Sequence, residues 1–191
     1  MRKITINLAA VAAFCIVVAS PTLVSSSCAT PKTEQEDTTI IREDSGITAL
    51  KYSSPEVPAS IEFCGKTIDL SRFDRHERMD RELLAFTYMH STSLQMLKKA
   101  NRYFPIVEPI LKENGIPDDF KYLMVIESNM NPTARSSAGA AGLWQFMQGT
   151  GRDYGLEVNN NVDERYHIEK ATRAACRYLK DAYAKYRDWV A

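Results

Sequence analysis

Glu127 is the residue whose neighbours best suit it to acid–base chemistry. It closes an apolar run, Phe120-Lys121-Tyr122-Leu123-Met124-Val125-Ile126, and precedes a polar segment with Asn129, Asn131, Ser136 and Ser137. Five of the chain's eight glycines follow closely: Gly139, Gly142, Gly149, Gly151 and Gly155. Hydrocarbon around a carboxyl disfavours its charged form, and glycine lets backbone approach a ligand closely. The macrodipole at a helix C-terminus opposes negative charge and pushes in the same direction. A carboxyl kept protonated towards neutral pH is what a general acid requires. On these residues alone the plain alternative stays open, an exposed acid in the last turn of a core helix.

The elements that must hold this stretch read as helices. Residues 71–90 place Met79, Leu83, Leu84, Phe86 and Tyr88 near a 3.6-residue period. Ser91-Thr92-Ser93 then offers a cap for a second helix with Leu94, Met96, Leu97, Ala100 and Tyr103 on one face. Pro105 suits the first turn of a third helix, Pro109 is expected to bend it, and Gly115 to stop it. Asp118 or Asp119 is the expected cap of the helix that ends near Glu127. Ala141 to Gln148 reads as a short apolar helix, Asn159-Asn160-Asn161 as a turn and Asp163 as a cap. Ile168 to Arg187 forms a long amphipathic helix with Ala171, Ala174, Ala175, Tyr178, Leu179 and Tyr183 inward. Only Ile61 to Leu70 alternates, around Gly65, as a short hairpin or extended arm would. The expected fold class is all-α.

The 191 residues, 45% of them hydrophobic, suffice for one core plus a targeting segment. Twenty-four basic residues balance twenty-four acidic ones, and no basic patch invites nucleic acid. Arg2 and Lys3, an apolar stretch from Leu8 to Val18 and small residues up to Ala29 form a bacterial-type export signal, too short to span a membrane comfortably. Its removal leaves a net charge near minus two. The reading is a signal peptide or lipoprotein signal over 1–28, with periplasm or cell envelope as destination. Cys28 follows the apolar core at the distance of a lipid-attachment cysteine, which would make the chain an outer-membrane lipoprotein. Ser25-Ser26-Ser27 lacks the usual leucine-like residue, so ordinary cleavage competes.

Residues 29–60 are rich in Thr, Ser, Glu and Asp, with three of the eight prolines and few large apolar groups, as in a disordered linker. Residues 61–104 form an N-terminal helical accessory segment. Cys64 and Cys176 could pair in an oxidising compartment or stand as separate thiols. His76, His90 and His167 stand apart and no metal-ligand spacing occurs, so neither a metal nor a cofactor is expected.

The run Glu127-Ser128, Asn131-Pro132, Ala134, Ser136, Gly139-Ala140, Gly142-Leu143-Trp144-Gln145-Phe146-Met147 and Thr150 resembles the signature of the lytic transglycosylase (SLT) domain. Gly115-Ile116-Pro117-Asp118-Asp119 upstream extends the resemblance. So do Tyr154-Gly155-Leu156, Asp163-Glu164-Arg165 and Ala174-Ala175 with Tyr178-Leu179 downstream. Within that family it is most similar to the membrane-bound lytic murein transglycosylase D type; the resemblance covers about residues 100–191, with the domain itself placed at 105–191. The resemblance implies a lysozyme-like helical fold and, as partner, the glycan strands of peptidoglycan. It also implies cleavage of the β-1,4 bond between N-acetylmuramic acid and N-acetylglucosamine. Glu127 would be the single catalytic acid, protonating the glycosidic oxygen and then taking the proton of the muramic C6 hydroxyl, whose oxygen closes a 1,6-anhydro ring. That is a substrate-assisted exception to the two-carboxylate rule, and no second acid lies between Glu127 and Asp153.

Ser136 matches the family serine near the acetamido group, and Gln145 and Met147 match residues that contact sugar. Trp144 and Phe146 flank Gln145, and on a helix they could not both face a groove; one or both belong to the core. Gln148 stands where the family usually has proline, and Tyr166-His167 replaces an Asp-Pro-like pair. The family continues past a tryptophan resembling Trp189 into an Ala-Tyr-Asn segment that lines its groove. The domain is therefore expected to be incomplete at its C-terminus. The alternatives to a transglycosylase are an inactive glycan-binding fragment and a lysozyme-like hydrolase.

Overall fold

A computed structural model describes residues 54–190. The export signal, Cys15, Cys28 and most of the expected linker lie outside the described residues. Within them the chain is mostly helical, with one antiparallel hairpin of β1 (Ser60–Phe63) and β2 (Lys66–Asp69). Cys64 and Gly65, both at positive φ (51° and 73°), form its two-residue turn. This is the turn geometry that matches the right-handed twist of a hairpin.

Helix α1 (Phe73–Tyr88) leads into α2 (His90–Glu113). A 3₁₀ turn (Asp118–Tyr122) runs directly into the short α3 (Leu123–Ser128). After a long loop come α4 (Gln148–Asp153), a second 3₁₀ turn (Glu164–Tyr166) and α5 (Ile168–Tyr186). Among the described residues no helix is long and apolar enough to cross a membrane.

The two expected helices either side of Pro105 are one. Ala100, Tyr103, Phe104, Val107, Ile110 and Leu111 are all buried and recur at helical spacing straight through both prolines. Pro105 and Pro109 sit four residues apart on the exposed face, where the carbonyls that lose their donors can meet water. Burial of the opposite stripe outweighs the penalty. Ser91-Thr92-Ser93 does not cap this helix, because the helix begins at His90; the Ser93 hydroxyl instead donates to the Phe86 carbonyl of α1 at 2.5 Å. Leu84 and Leu94 are exposed, Leu94 at 57%, because the stripes that bury are Met79-Leu83-Phe86 on α1 and Ser93-Ala100-Tyr103 on α2.

The main core joins α2, the 3₁₀ turn, α3, the long loop and α5, with α2 packed most extensively on α5. Ala171, Ala174, Ala175, Cys176 and Leu179 are the buried apolar residues on the α5 side and Tyr183 is partly buried, whereas Tyr178 is exposed and edge-on to Tyr154 and Phe146. Cys64 and Cys176 are not joined to each other by a disulfide. Leu70, Met79 and Leu83 make a smaller cluster under the hairpin.

Gly115 ends α2 as its sequence position suggests. At φ 67° it lets its own N–H reach the Lys112 carbonyl and that of Ile116 reach Leu111, both at 3.0 Å, so the last carbonyls of the helix are satisfied. No atom would touch a Cβ added there, so the cost of a substitution is conformational alone. Gly115→Ala should therefore lower stability by about 1–2 kcal/mol in urea unfolding, and Gly115→Asn by less, because asparagine tolerates the left-handed region.

Candidate active site

Glu127 lies in the last turn of α3, a helix of six residues whose Leu123, Met124 and Val125 are buried in the core. A helix this short does not hold itself. Asp118 and Asp119 were expected to cap it but do neither: no side chain caps the 3₁₀ turn or α3. Asp118 pairs with Lys121, and Asp119 accepts the backbone N–H of Cys64 at 2.7 Å. At the other end Asn129 and Met130 both take positive φ (49° and 52°), which turns the chain sharply and sends Met130 wholly into the core. Lys99 of α2 donates to the Asn129 carbonyl at 2.9 Å, a cation closing a helix C-terminus.

The Glu127 carboxyl is half-buried, and among the described residues it has no hydrogen-bond or ion-pair partner. Burial pushes its pKa above the ordinary carboxylate range. The short helix adds little dipole of its own. The next residue ties the acid to the loop: the Ser128 hydroxyl lies 3.1 Å from the Met124 carbonyl and 3.0 Å from that of Leu143.

Ala141 to Gln148 is not a helix. Gly142 and Gln145 take positive φ (79° and 49°), which a helix excludes, and Ala141 bridges both Arg135 and Phe146 as a narrow antiparallel turn. Trp144 and Phe146 are both buried in it, with Trp144 Nε1 donating to Thr172 Oγ1 of α5 at 3.0 Å. Helix α4 begins at Gln148, directly after Met147. A first helical residue needs no N–H, which is why proline and glutamine are interchangeable there.

Ser136 closes its own loop, its N–H on the Ala140 carbonyl (2.9 Å) and its hydroxyl accepting the Ala140 N–H (3.0 Å). The hydroxyl proton is left to donate. Gln145 spends its amide NH₂ on the carbonyls of Gly142 (2.8 Å) and Ala134 (3.3 Å), leaving its side-chain oxygen as an acceptor. Met147 is 45% exposed. These three residues share one loop, joined to Glu127 through Ser128 and Leu143. A shallow hollow lined by Pro105, Glu108, Pro109, Lys112, Ile116 and Asp118 contains none of them.

The group that holds the loop together stands in the sequence only as the last residue of the Asp163-Glu164-Arg165 motif, with no role attached to it. Arg165 is 1% exposed, and its guanidinium donates to the carbonyls of Gly139 (2.8 Å) and Phe146 (2.9 Å). It also forks onto Asp163, Nε to Oδ1 at 2.8 Å and Nη2 to Oδ2 at 2.6 Å. The fork holds the Asp163 carboxyl below its ordinary pKa. Asp163 also accepts the Arg165 N–H, so it caps the second 3₁₀ turn, while His167 caps α5. A Cβ on Gly142 would lie 1.9 Å from the Arg165 carbonyl oxygen, so only glycine fits. Their spacing, Asp-x-Arg, carried no sign of burial.

The site thus consists of an acid, unpartnered among the described residues, at the end of a short buried helix that is pinned to a turn-rich loop. Residues 105–191 match the family model of the Transglycosylase SLT domain. Over 104 residues it is 32% identical to Membrane-bound lytic murein transglycosylase D of Escherichia coli strain K12, covering 54% of this chain and 22% of that protein. The figures are the same for the protein of that name in Escherichia coli O6:H1 (strain CFT073). The chain thus spans about a fifth of the length of these relatives.

Two outcomes follow from the site's geometry. Replacing Arg165 with methionine leaves Asp163 without its ion-pair partner and the Gly139 carbonyl without a donor, while the Phe146 carbonyl keeps only the Ala141 N–H. It should cost about 3–5 kcal/mol in chemical unfolding, and Arg165→Lys should recover only part of that, because an ammonium cannot fork. Glu127 behaves oppositely. With its folded pKa raised, the folded state holds more protons than the unfolded one, so stability falls as pH rises from the ordinary carboxylate value through the raised one. Glu127→Gln removes that penalty and should raise the unfolding midpoint at pH 7 by about 1–3 °C, the gap closing below about pH 4.

Proposed function

We propose that the chain is a peptidoglycan lytic transglycosylase with Glu127 as acid and then base. The observation that carries this reading is Glu127 itself: half-buried, unpaired among the described residues, and pushed towards its protonated form by burial. A protonated carboxyl delivers its proton to the glycosidic oxygen as the bond from C1 of N-acetylmuramic acid breaks. The substrate's acetamido oxygen stabilises the cationic centre. The carboxylate then takes the proton of the C6 hydroxyl while O6 bonds to C1, so Glu127 ends protonated and no water is consumed.

In this reading the hydroxyl of Ser136 donates to the acetamido group. The free side-chain oxygen of Gln145 accepts from a sugar hydroxyl or N–H, and exposed Met147 packs on a ring face. Each role uses the capacity that the loop's own bonds leave unspent. Residues 1–28 direct export and 29–60 tether the domain, with Cys28 as the candidate lipid anchor to the envelope. Residues 61–104 accompany the catalytic segment 105–191.

The test is digestion of purified peptidoglycan, with mass analysis of the released muropeptides. Anhydro ends, lighter by one water than reducing ends, are expected. Glu127→Gln should reduce release by at least about a hundredfold. The rate should fall as pH rises through a midpoint above the ordinary carboxylate value, because the acid must start protonated. Reducing ends would identify a lysozyme-like hydrolase instead, and binding without release a glycan-binding fragment.

A further inference from the structure

The β1–β2 hairpin precedes the family-matched segment, yet it touches that segment next to the start of the helix that carries Glu127. The N–H of Cys64, turned outward by the tight hairpin turn, donates to Asp119 at 2.7 Å. The adjacent Phe63 is buried with its ring 6.4 Å from that of Phe120. Asp119 and Phe120 belong to the 3₁₀ turn that becomes α3 without an intervening loop. Phe120 also meets Trp189 edge-on at 5.3 Å, Trp189 stacks on Tyr183 at 4.2 Å, and Lys66 of β2 pairs with Asp188 at 2.5 Å. The hairpin therefore bridges the beginning of the Glu127 helix and the end of α5.

We propose that the hairpin Ser60–Asp69 is a clamp that positions Glu127, with Phe63 and Asp119 as its positioning residues. The 3₁₀ turn has no side-chain cap of its own and is gripped from two sides. Lys121 ties it to Glu108 of α2 at 2.7 Å, and the hairpin ties it from the other side. Releasing the hairpin side frees the first turn of a helix too short to persist alone. Glu127 lies about 7.5 Å along the helix from Tyr122, so a tilt there carries the acid with it. Water then reaches a carboxyl that owes its protonation behaviour to burial alone.

The importance of the clamp for catalysis rests on the reading of Glu127 as the acid, but its test uses no glycan. The Glu127 carboxyl is titrated by carbon NMR in the full chain, assigned with Glu127→Gln, and amide exchange is followed over residues 123–128. In Phe63→Ala and Asp119→Ala the Glu127 midpoint should move down towards the ordinary carboxylate value, with exchange at least about tenfold faster. Asp119→Asn keeps an acceptor for the Cys64 N–H and should restore both. A folded Asp119→Ala chain with an unchanged midpoint and unchanged exchange overturns the proposal. If Phe63→Ala fails to fold, the Asp119 pair decides.

Discussion

The loop that follows Glu127 depends on one buried cation. Arg165 uses four of its five N–H donors, two on Asp163 and two on carbonyls of residues seven apart in the loop. An arginine taken out of water at 1% exposure is tolerable only with this degree of pairing, so the loop and the cation stabilise each other. The backbone of Arg165 contributes as well, since its carbonyl occupies the space a side chain at residue 142 would need. Glycine at 142 thus follows from steric contact with Arg165 as much as from its own φ.

Because the loop is fixed, the acid beside it is fixed. Ser128 transmits the constraint, one hydroxyl bridging the α3 carbonyl of Met124 and the loop carbonyl of Leu143. Trp144 transmits it a second time to α5 through Thr172, which in turn donates to the Ile168 carbonyl at 2.7 Å. Among the polar atoms these bonds leave unspent are the hydroxyl proton of Ser136, the side-chain oxygen of Gln145 and the carboxyl of Glu127. Preorganisation of this kind leaves little ordering to be done when a ligand binds.

Much of this was legible in the sequence wherever local pattern decided the outcome. The end of the apolar run located Glu127, the glycine after Asn114 located the end of α2, and Cys64-Gly65 lay at the turn of the alternating stretch. The errors have a common cause, which is tertiary contact overriding local preference. Proline at 105 signals a helix start, but the buried stripe from Ala100 to Leu111 continues through it. Ala-Gly-Leu-Trp-Gln-Phe-Met looks helical by composition, yet the left-handed backbone at Gln145 follows from its amide bonding back to Ala134 and Gly142. The two aspartates before α3 were read as caps because the hairpin N–H that engages Asp119 lies 55 residues away. Arg165 shows the same limit, since no neighbour in sequence announces that the carbonyls of Gly139 and Phe146 will close over it.

The short α3 makes the protonation of Glu127 a property of the whole domain. Six residues of helix gain too little from their own hydrogen bonds to persist, so the acid is restrained by the contacts that α3 and its flanks make with the rest of the domain. The 3₁₀ turn and Lys121 fix its start, Lys99 and Ser128 its end, and buried Met124 its depth in the core. None of these groups bonds to the carboxyl. A side chain that the fold surrounds but does not neutralise lowers stability when it ionises, and surrounding structure must offset that cost. Packing that holds the helix in place while leaving its acid unpaired is therefore consistent with a requirement for the proton, and a purely structural glutamate would be expected either paired or in water.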